Sequence, residues 1–124
     1  MSDCGVCVYA GDPDGYPEFT NQTFPKARKH HRCEECNREV HSGEQYERMV
    51  MKFDGELSNF VTCMVCYEIR AAFSCDGVMY GSDFWESLTE NFAELNESCF
   101  DKLTTPEAKK YLRERWMEWK GLKP

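Results

Sequence analysis

The chain has no apolar run approaching the ~20 residues that a membrane-spanning helix needs, so no membrane segment is expected. Its first residues, Met1-Ser2-Asp3-Cys4, lack the basic and apolar regions of a secretion signal, which points to the cytoplasm. There is no glycine-rich phosphate loop, nucleophile elbow or Ser/His/Asp pattern, so no small-molecule substrate is inferred. No internal repeat occurs beyond the cysteine pairs, and no segment is of low complexity. Positive charge is short: 15 Lys and Arg stand against 22 Asp and Glu, a formal net charge of −7. That balance weakens non-specific nucleic-acid binding, which runs on positive surface. It suits a basic protein partner, or simple solubility.

What the chain does have is cysteine, 8 in 124 residues. Six fall in Cys-x2-Cys pairs: Cys4/Cys7, Cys33/Cys36 and Cys63/Cys66. In a reducing compartment disulfides are uncommon, and paired cysteines more often hold metal. The length suits one domain over 1–124, and 41% hydrophobic residues allow a core. Within it we distinguish an arm and basic segment (1–32), a metal core (33–73) and a helical part (74–124).

Residues 1–25 are rich in turn signals, Gly11-Asp12-Pro13-Asp14-Gly15 and Tyr16-Pro17, and read as an irregular arm. Its aromatics, Tyr9, Tyr16, Phe19 and Phe24, imply that it packs across the domain, anchored at Cys4 and Cys7. Gln45 to Phe53 alternates as a strand, with Tyr46, Arg48, Val50 and Lys52 on one face. Met49, Met51 and Phe53 form the other, apolar face. Asp54-Gly55 is a hairpin turn, and Leu57 to Thr62 the return strand. Cys63 to Phe73 reads as a helix with Val65, Ile69, Ala72 and Phe73 on one side. Ser82 caps a second helix over Asp83 to Leu95, whose stripe is Phe84, Leu88, Phe92 and Leu95. In the last helix Thr105 is the N-cap, Pro106 sits at the first position and Gly121 marks the end. Its packed face is Ala108, Tyr111, Leu112, Arg115, Trp116 and Trp119.

Cys33, Cys36, Cys63 and Cys66 have the spacing of one structural Zn²⁺ site. A Cys-x2-Cys turn brings two sulfurs to one tetrahedral ion. A hairpin of suitable length carries the chain to the second pair, which opens a helix whose N-terminal amides favour thiolate charge. Turn, hairpin and ligand-bearing helix make a treble clef, and the fold class is α+β: this core, the arm and two C-terminal helices. A redox role for the pairs would need a βαβ setting, and iron–sulfur ligation is the other four-cysteine chemistry. Cys4, Cys7, Cys75 and Cys99 form a candidate second site, with His30, His31 or His41 as substitute ligands. The alternative is that Cys75 and Cys99 are ordinary buried thiols.

The stretch Ala27-Arg28-Lys29-His30-His31-Arg32-Cys33-Glu34-Glu35-Cys36 carries a resemblance, together with Gly43 to Arg48, Asp54-Gly55 and Thr62-Cys63-Met64-Val65-Cys66-Tyr67-Glu68-Ile69-Arg70. It resembles uncharacterised small zinc-finger proteins of bacteriophages and prophages. The likeness runs on through Cys75-Asp76-Gly77 and Tyr80-Gly81 towards Cys99, covering most of the chain. It implies a treble-clef metal centre and a phage setting, and no established activity.

The enzyme to weigh is an HNH-type nuclease, because many are built on such zinc cores. They need a histidine, plus further His or Asn for a divalent ion. The helix after Cys66 reads Tyr67-Glu68-Ile69-Arg70, and the 3 histidines, His30, His31 and His41, lie elsewhere. The expectation is therefore a non-catalytic module. Trp85, Trp116, Trp119, Tyr80 and Phe100 exceed the needs of one small core and point to a protein partner, in a phage setting host transcription or defence machinery. The alternative is nucleic-acid binding through Lys26, Arg28, Lys29 and Arg32, extended by Arg38 and Arg48.

Overall fold

The computed structural model describes residues 4–9, 19–53, 55–76 and 83–121. The chain is mixed α and β. In chain order come β1 (Val8–Tyr9), β2 (Phe19–Thr23), β3 (His31–Arg32), β4 (Glu39–Val40), β5 (Tyr46–Phe53) and β6 (Glu56–Cys63). Then follow α1 (Met64–Phe73), β7 (Ser74–Asp76), α2 (Asp83–Glu90), two 3-10 turns (Phe92–Glu94 and Glu97–Lys102) and α3 (Pro106–Trp119).

The expected hairpin is β5–β6, in register from Tyr46 opposite Cys63 to Phe53 opposite Glu56. Gly55 takes φ +82°, the left-handed backbone that a tight hairpin turn asks for. Met49 and Met51 are buried, as the alternation predicts, and Glu47 is buried on the same face. The irregular arm needs correcting. Its Phe19–Thr23 segment is a third strand, antiparallel to β5 from Phe19 opposite Lys52 to Thr23 opposite Arg48. Residues 10–18, with their turn dipeptides, lie outside the described residues. Nearer the N-terminus β1 pairs in parallel with β7, so the arm lies against the chain leaving α1.

β6 runs directly into α1, with Cys63 as its extended N-cap residue. Cys66, Ile69, Arg70 and Phe73 are buried along α1, the stripe of a helix packed on one side. An arginine in that stripe needs partners. Arg70 donates to Glu47 and, at 3.3 Å, to Thr62 Oγ1, while Glu35 Oε1 lies 3.5 Å away. Gln22 on β2 donates to the other oxygen of Glu47 at 2.6 Å. Two carboxylates thus share one guanidinium. Burial, with Glu47 and the Cys33 sulfur nearby, outweighs Arg70 and pushes the Glu35 carboxyl up to about 8. Glu35 keeps its proton at neutral pH, and Arg70 and Glu47 neutralise one another.

The second expected helix ends early. α2 stops at Glu90, and Asn91 leaves helical geometry at φ −100°, ψ 6°. Its side chain donates back to the Ser87 carbonyl at 2.9 Å, a local bond that competes with the next helical turn. Phe92 and Leu95 still reach the core from the 3-10 turn that follows. Ser82 lies outside the described residues. α3 matches its signals: Thr105 Oγ1 accepts from the Ala108 N–H at 3.3 Å, and Gly121 has φ +80°. The N-terminal end of α3 is tied to α1 through Glu68, which accepts from the Thr104 N–H at 2.6 Å and the Thr105 hydroxyl at 2.7 Å. Ala108, Leu112 and Trp116 face the core, but Trp119 is 47% exposed, at the last position of the helix. One core runs from Val6 and Val8 through Phe73, Phe84, Leu88 and Phe100 to Leu112, with Cys63 and Cys66 in it.

Candidate functional site

Cys33 and Cys36 occupy the turn between β3 and β4. The Asn37 N–H closes it onto the Cys33 carbonyl at 2.8 Å, and the Cys33 N–H donates to the Arg38 carbonyl at 2.8 Å. Asn37 takes φ +65°, a conformation that Asn tolerates better than most residues. Glu34 fastens this turn to β6: its N–H donates to the Val61 carbonyl at 2.9 Å, and its carboxylate accepts from the Val61 N–H at 3.0 Å. The turn is therefore aligned with the end of the hairpin by one backbone bond and one bond to the Glu34 side chain, and the two cysteine pairs face each other.

Cys33, Cys63 and Cys66 are buried and Cys36 is half-buried. Their sulfurs all lie within 4.8 Å of one another, and Cys36 Sγ is 3.8 Å from Cys63 Sγ. A tetrahedral ion with bonds of ~2.3 Å holds its sulfurs ~3.8 Å apart. The four cysteines thus fit one metal ion such as zinc. Without it the thiols compete for protons. Hydrogen bonds from Cys36, Cys63 and Cys66 drive the Cys33 thiol far down. Cys63 and Cys66 are driven up, first by holding a proton towards Cys33. Cys36 comes to about 7: its bond to Cys33 raises it, and those from Cys63 and Cys66 outweigh that. A divalent cation replaces those protons and relieves the repulsion between sulfurs.

Further donors face the sulfurs. The Cys63 N–H lies 3.3 Å from Cys33 Sγ, and the Trp85 indole N–H donates to Cys66 Sγ at 3.4 Å. Such bonds orient ligands and stabilise thiolate charge. The sequence reading missed Trp85 in this role. The available signal is that a buried indole N–H needs an acceptor, here a sulfur 19 residues away. A cleft of about 390 Å³ reaches Cys36 and Cys63 between Arg38 and the Lys110, Tyr111 and Glu114 side of α3.

The other cysteines correct an expectation. Cys4 and Cys99 do meet, but as a disulfide with an S–S distance of 2.07 Å, and Cys7 is also disulfide-bonded. Sulfur bonded to sulfur is not a thiolate ligand, so these residues do not form the expected second four-thiolate site in this arrangement. The Cys75 side chain lies outside the described ones, although its backbone lies in β7. Of the substitute ligands, His31 packs on Tyr46, with ring centres 4.9 Å apart, while His30 and His41 meet each other.

The basic segment is brought together only in part. Lys26, Arg28 and Lys29 line a cleft of about 480 Å³ with Pro25, His31, Tyr46 and Arg48. Among the described residues none of these three lysine and arginine side chains has an acidic partner. Arg48 donates to Asn59 Oδ1 at 3.3 Å. Arg32 is absent from the lining and donates instead to the Asn37 carbonyl at 2.9 Å. Arg38 pairs with Glu44 at 3.1 Å.

The aromatic surplus largely disappears into the core. Trp85, Trp116 and Phe100 are buried beneath Arg115, Lys120 and Arg113, whose cationic heads lie 4.1, 3.5 and 4.3 Å from the ring centres. Tyr80 lies outside the described residues. Among the described residues no helix is long and apolar enough to cross a membrane. No family model, curated protein or solved structure matches the chain, so the four-cysteine cluster and the basic cleft carry the functional reading.

Proposed function

We propose that the chain is a non-catalytic binding module, stapled by one Zn²⁺, that holds a phosphate-bearing strand of nucleic acid in its basic cleft. The observation that carries this is the lining of that cleft: Lys26, Arg28, Lys29 and Arg48 around Tyr46 and His31, with no carboxylate. Cations grip phosphate oxygens, and an aromatic ring offers a face on which a base stacks. The net charge of −7 repels a polyanion everywhere else, which favours a short contact over a long one.

Zinc is favoured over an iron–sulfur cluster by the 3.8 Å between Cys36 and Cys63 sulfurs. That suits two ligands on one ion, whereas a cluster distributes its cysteines over several irons. The order of turn, hairpin and helix supports the treble-clef reading. A phage origin rests on the resemblance in sequence. The cytoplasmic setting is part of the same proposal, and the Cys4–Cys99 disulfide counts against it, since disulfides belong to oxidising compartments.

The test is fluorescence anisotropy with a labelled single-stranded oligonucleotide over a range of salt. Four phosphate contacts give a slope of log K against log salt of about −3. Reversing Lys26, Arg28 and Lys29 to Glu abolishes the binding; unchanged binding in that variant sinks the proposal. A protein partner is the second reading. Trp119, about half exposed on α3, supports it, and capture of a stoichiometric host protein that is lost on Trp119→Ala would favour it.

A further inference from the structure

We propose that His30, Glu39 and His41 form a second, solvent-open site for a first-row divalent cation, on the outer face of the β3–β4 ribbon. The register makes the site. His31 pairs with Val40 and Arg32 with Glu39. One step further along, His30 stands opposite His41. Side chains alternate across a strand. His31 and the fully buried Val40 therefore point inward, while His30, Glu39 and His41 share the outward face.

The three side chains already converge. Their donor atoms all lie within 4.8 Å of one another, and His30 Nδ1 is 2.9 Å from Glu39 Oε1. The His30 and His41 rings meet edge to face with centres 5.2 Å apart. A metal with bonds of ~2.1 Å separates neighbouring ligand atoms by ~3–3.4 Å, a distance these exposed side chains reach by small rotations. A simple ion pair explains His30 with Glu39 and leaves the second imidazole without a role. Arg32, on the same face, turns its guanidinium to the Asn37 carbonyl and so leaves the three donors clear.

Two imidazoles and one carboxylate are borderline ligands. They select Zn²⁺, Co²⁺, Ni²⁺ or Cu²⁺ over Mg²⁺ and Ca²⁺. Three protein ligands leave coordination positions for water, so the ion is exchangeable, unlike one enclosed by four sulfurs. The site faces away from the basic cleft, because His31 is the ribbon histidine that lines the cleft. It is thus independent of nucleic-acid binding.

The test starts from protein holding one zinc, verified by native mass spectrometry, and titrates Cu²⁺ and Ni²⁺ by calorimetry. The wild type is expected to take one further equivalent, with Cu²⁺ resonance spectra showing two coordinating imidazole nitrogens. His30→Gln and His41→Gln should each weaken it by at least about tenfold, remove one nitrogen from the spectrum and keep the first zinc. The variant with Lys26, Arg28 and Lys29 reversed should bind it normally. A wild type that takes no further equivalent overturns the proposal. So does a further equivalent whose affinity and spectrum survive both histidine substitutions.

Discussion

Replacing Arg70 by Met removes the cation that, among the described residues, balances the buried network between sheet and helix. Arg70 is 2% exposed and Glu47 fully buried, so Glu47 loses its counter-charge and keeps only the neutral Gln22 amide as a donor. It then stays ionised and unpaired or takes up a proton, and the second route caps the cost. At pH 7, protonating a carboxyl whose unfolded pKa is ~4.3 costs about 3.7 kcal/mol. Losing the bond to Thr62 adds ~1 kcal/mol, and the apolar methionine returns about as much. Glu35 adds little, because its pKa of about 8 already keeps it protonated. The expected loss is about 4 kcal/mol at pH 7, within the range for breaking a buried pair. It is a large part of the ~5–15 kcal/mol that holds a domain folded.

The loss has a pH signature. Burial without a counter-charge favours the neutral form of a carboxyl, so the penalty shrinks as acid supplies the proton and grows as pH rises. At about pH 5.5 the proton costs about 1.6 kcal/mol, and the loss should fall to about 2 kcal/mol. Urea denaturation of the metal-loaded proteins at both pH values measures this. The double substitution Arg70→Met with Glu47→Leu should recover most of the stability, since no charge is left unpaired. A loss under 1 kcal/mol at pH 7, or one equal at the two pH values, refutes the reasoning.

Three further outcomes follow from the geometry. Trp85→Phe keeps the ring and removes the N–H that faces Cys66 Sγ, so zinc affinity measured against a competing chelator should drop about tenfold with the fold retained. Glu35→Gln should flatten the pH profile. The folded carboxyl, raised to about 8, contributes stability that is complete below ~4.3 and lost as pH rises towards 8. The variant should therefore gain on the wild type in melts at pH 8 and not at pH 4. Thr105→Ala removes both the cap on Ala108 and the hydroxyl bond to Glu68. It should cost about 1–2 kcal/mol in denaturant titrations, whereas Ser at that position should restore most of it.

The legible parts of this chain were those whose signal is local. Cys-x2-Cys spacing, the Asp54-Gly55 turn and the Thr105-Pro106 start each occupy a few adjacent residues, and chemistry or backbone geometry fixes their meaning. What escaped was pairing at a distance. Phe19–Thr23 carries Asn and Gln and looks like loop, and only β5 makes it a strand. Glu47 and Arg70 are 23 residues apart, and neither charge advertises burial. Trp85 became a donor to sulfur because the fold brings it to Cys66, 19 residues away, which no local pattern of sequence signals. Cys4 and Cys99 were singled out together, yet spacing does not distinguish a disulfide from a shared ion. His30, Glu39 and His41 were scattered residues until the ribbon register aligned them.

The Cys4–Cys99 bridge spans a separation of 95 residues, and this shapes how the molecule responds to mechanical force. Tension applied at the two ends of the chain passes through a covalent link near one terminus. The sheet, the sulfur cage and the first two helices hang on a closed ring that carries no load. Only the tail beyond Cys99 is free to extend, so α3 should peel away while the remainder stays intact. In optical-tweezers pulling, a reductant would convert one short extension into the unravelling of nearly the entire polypeptide.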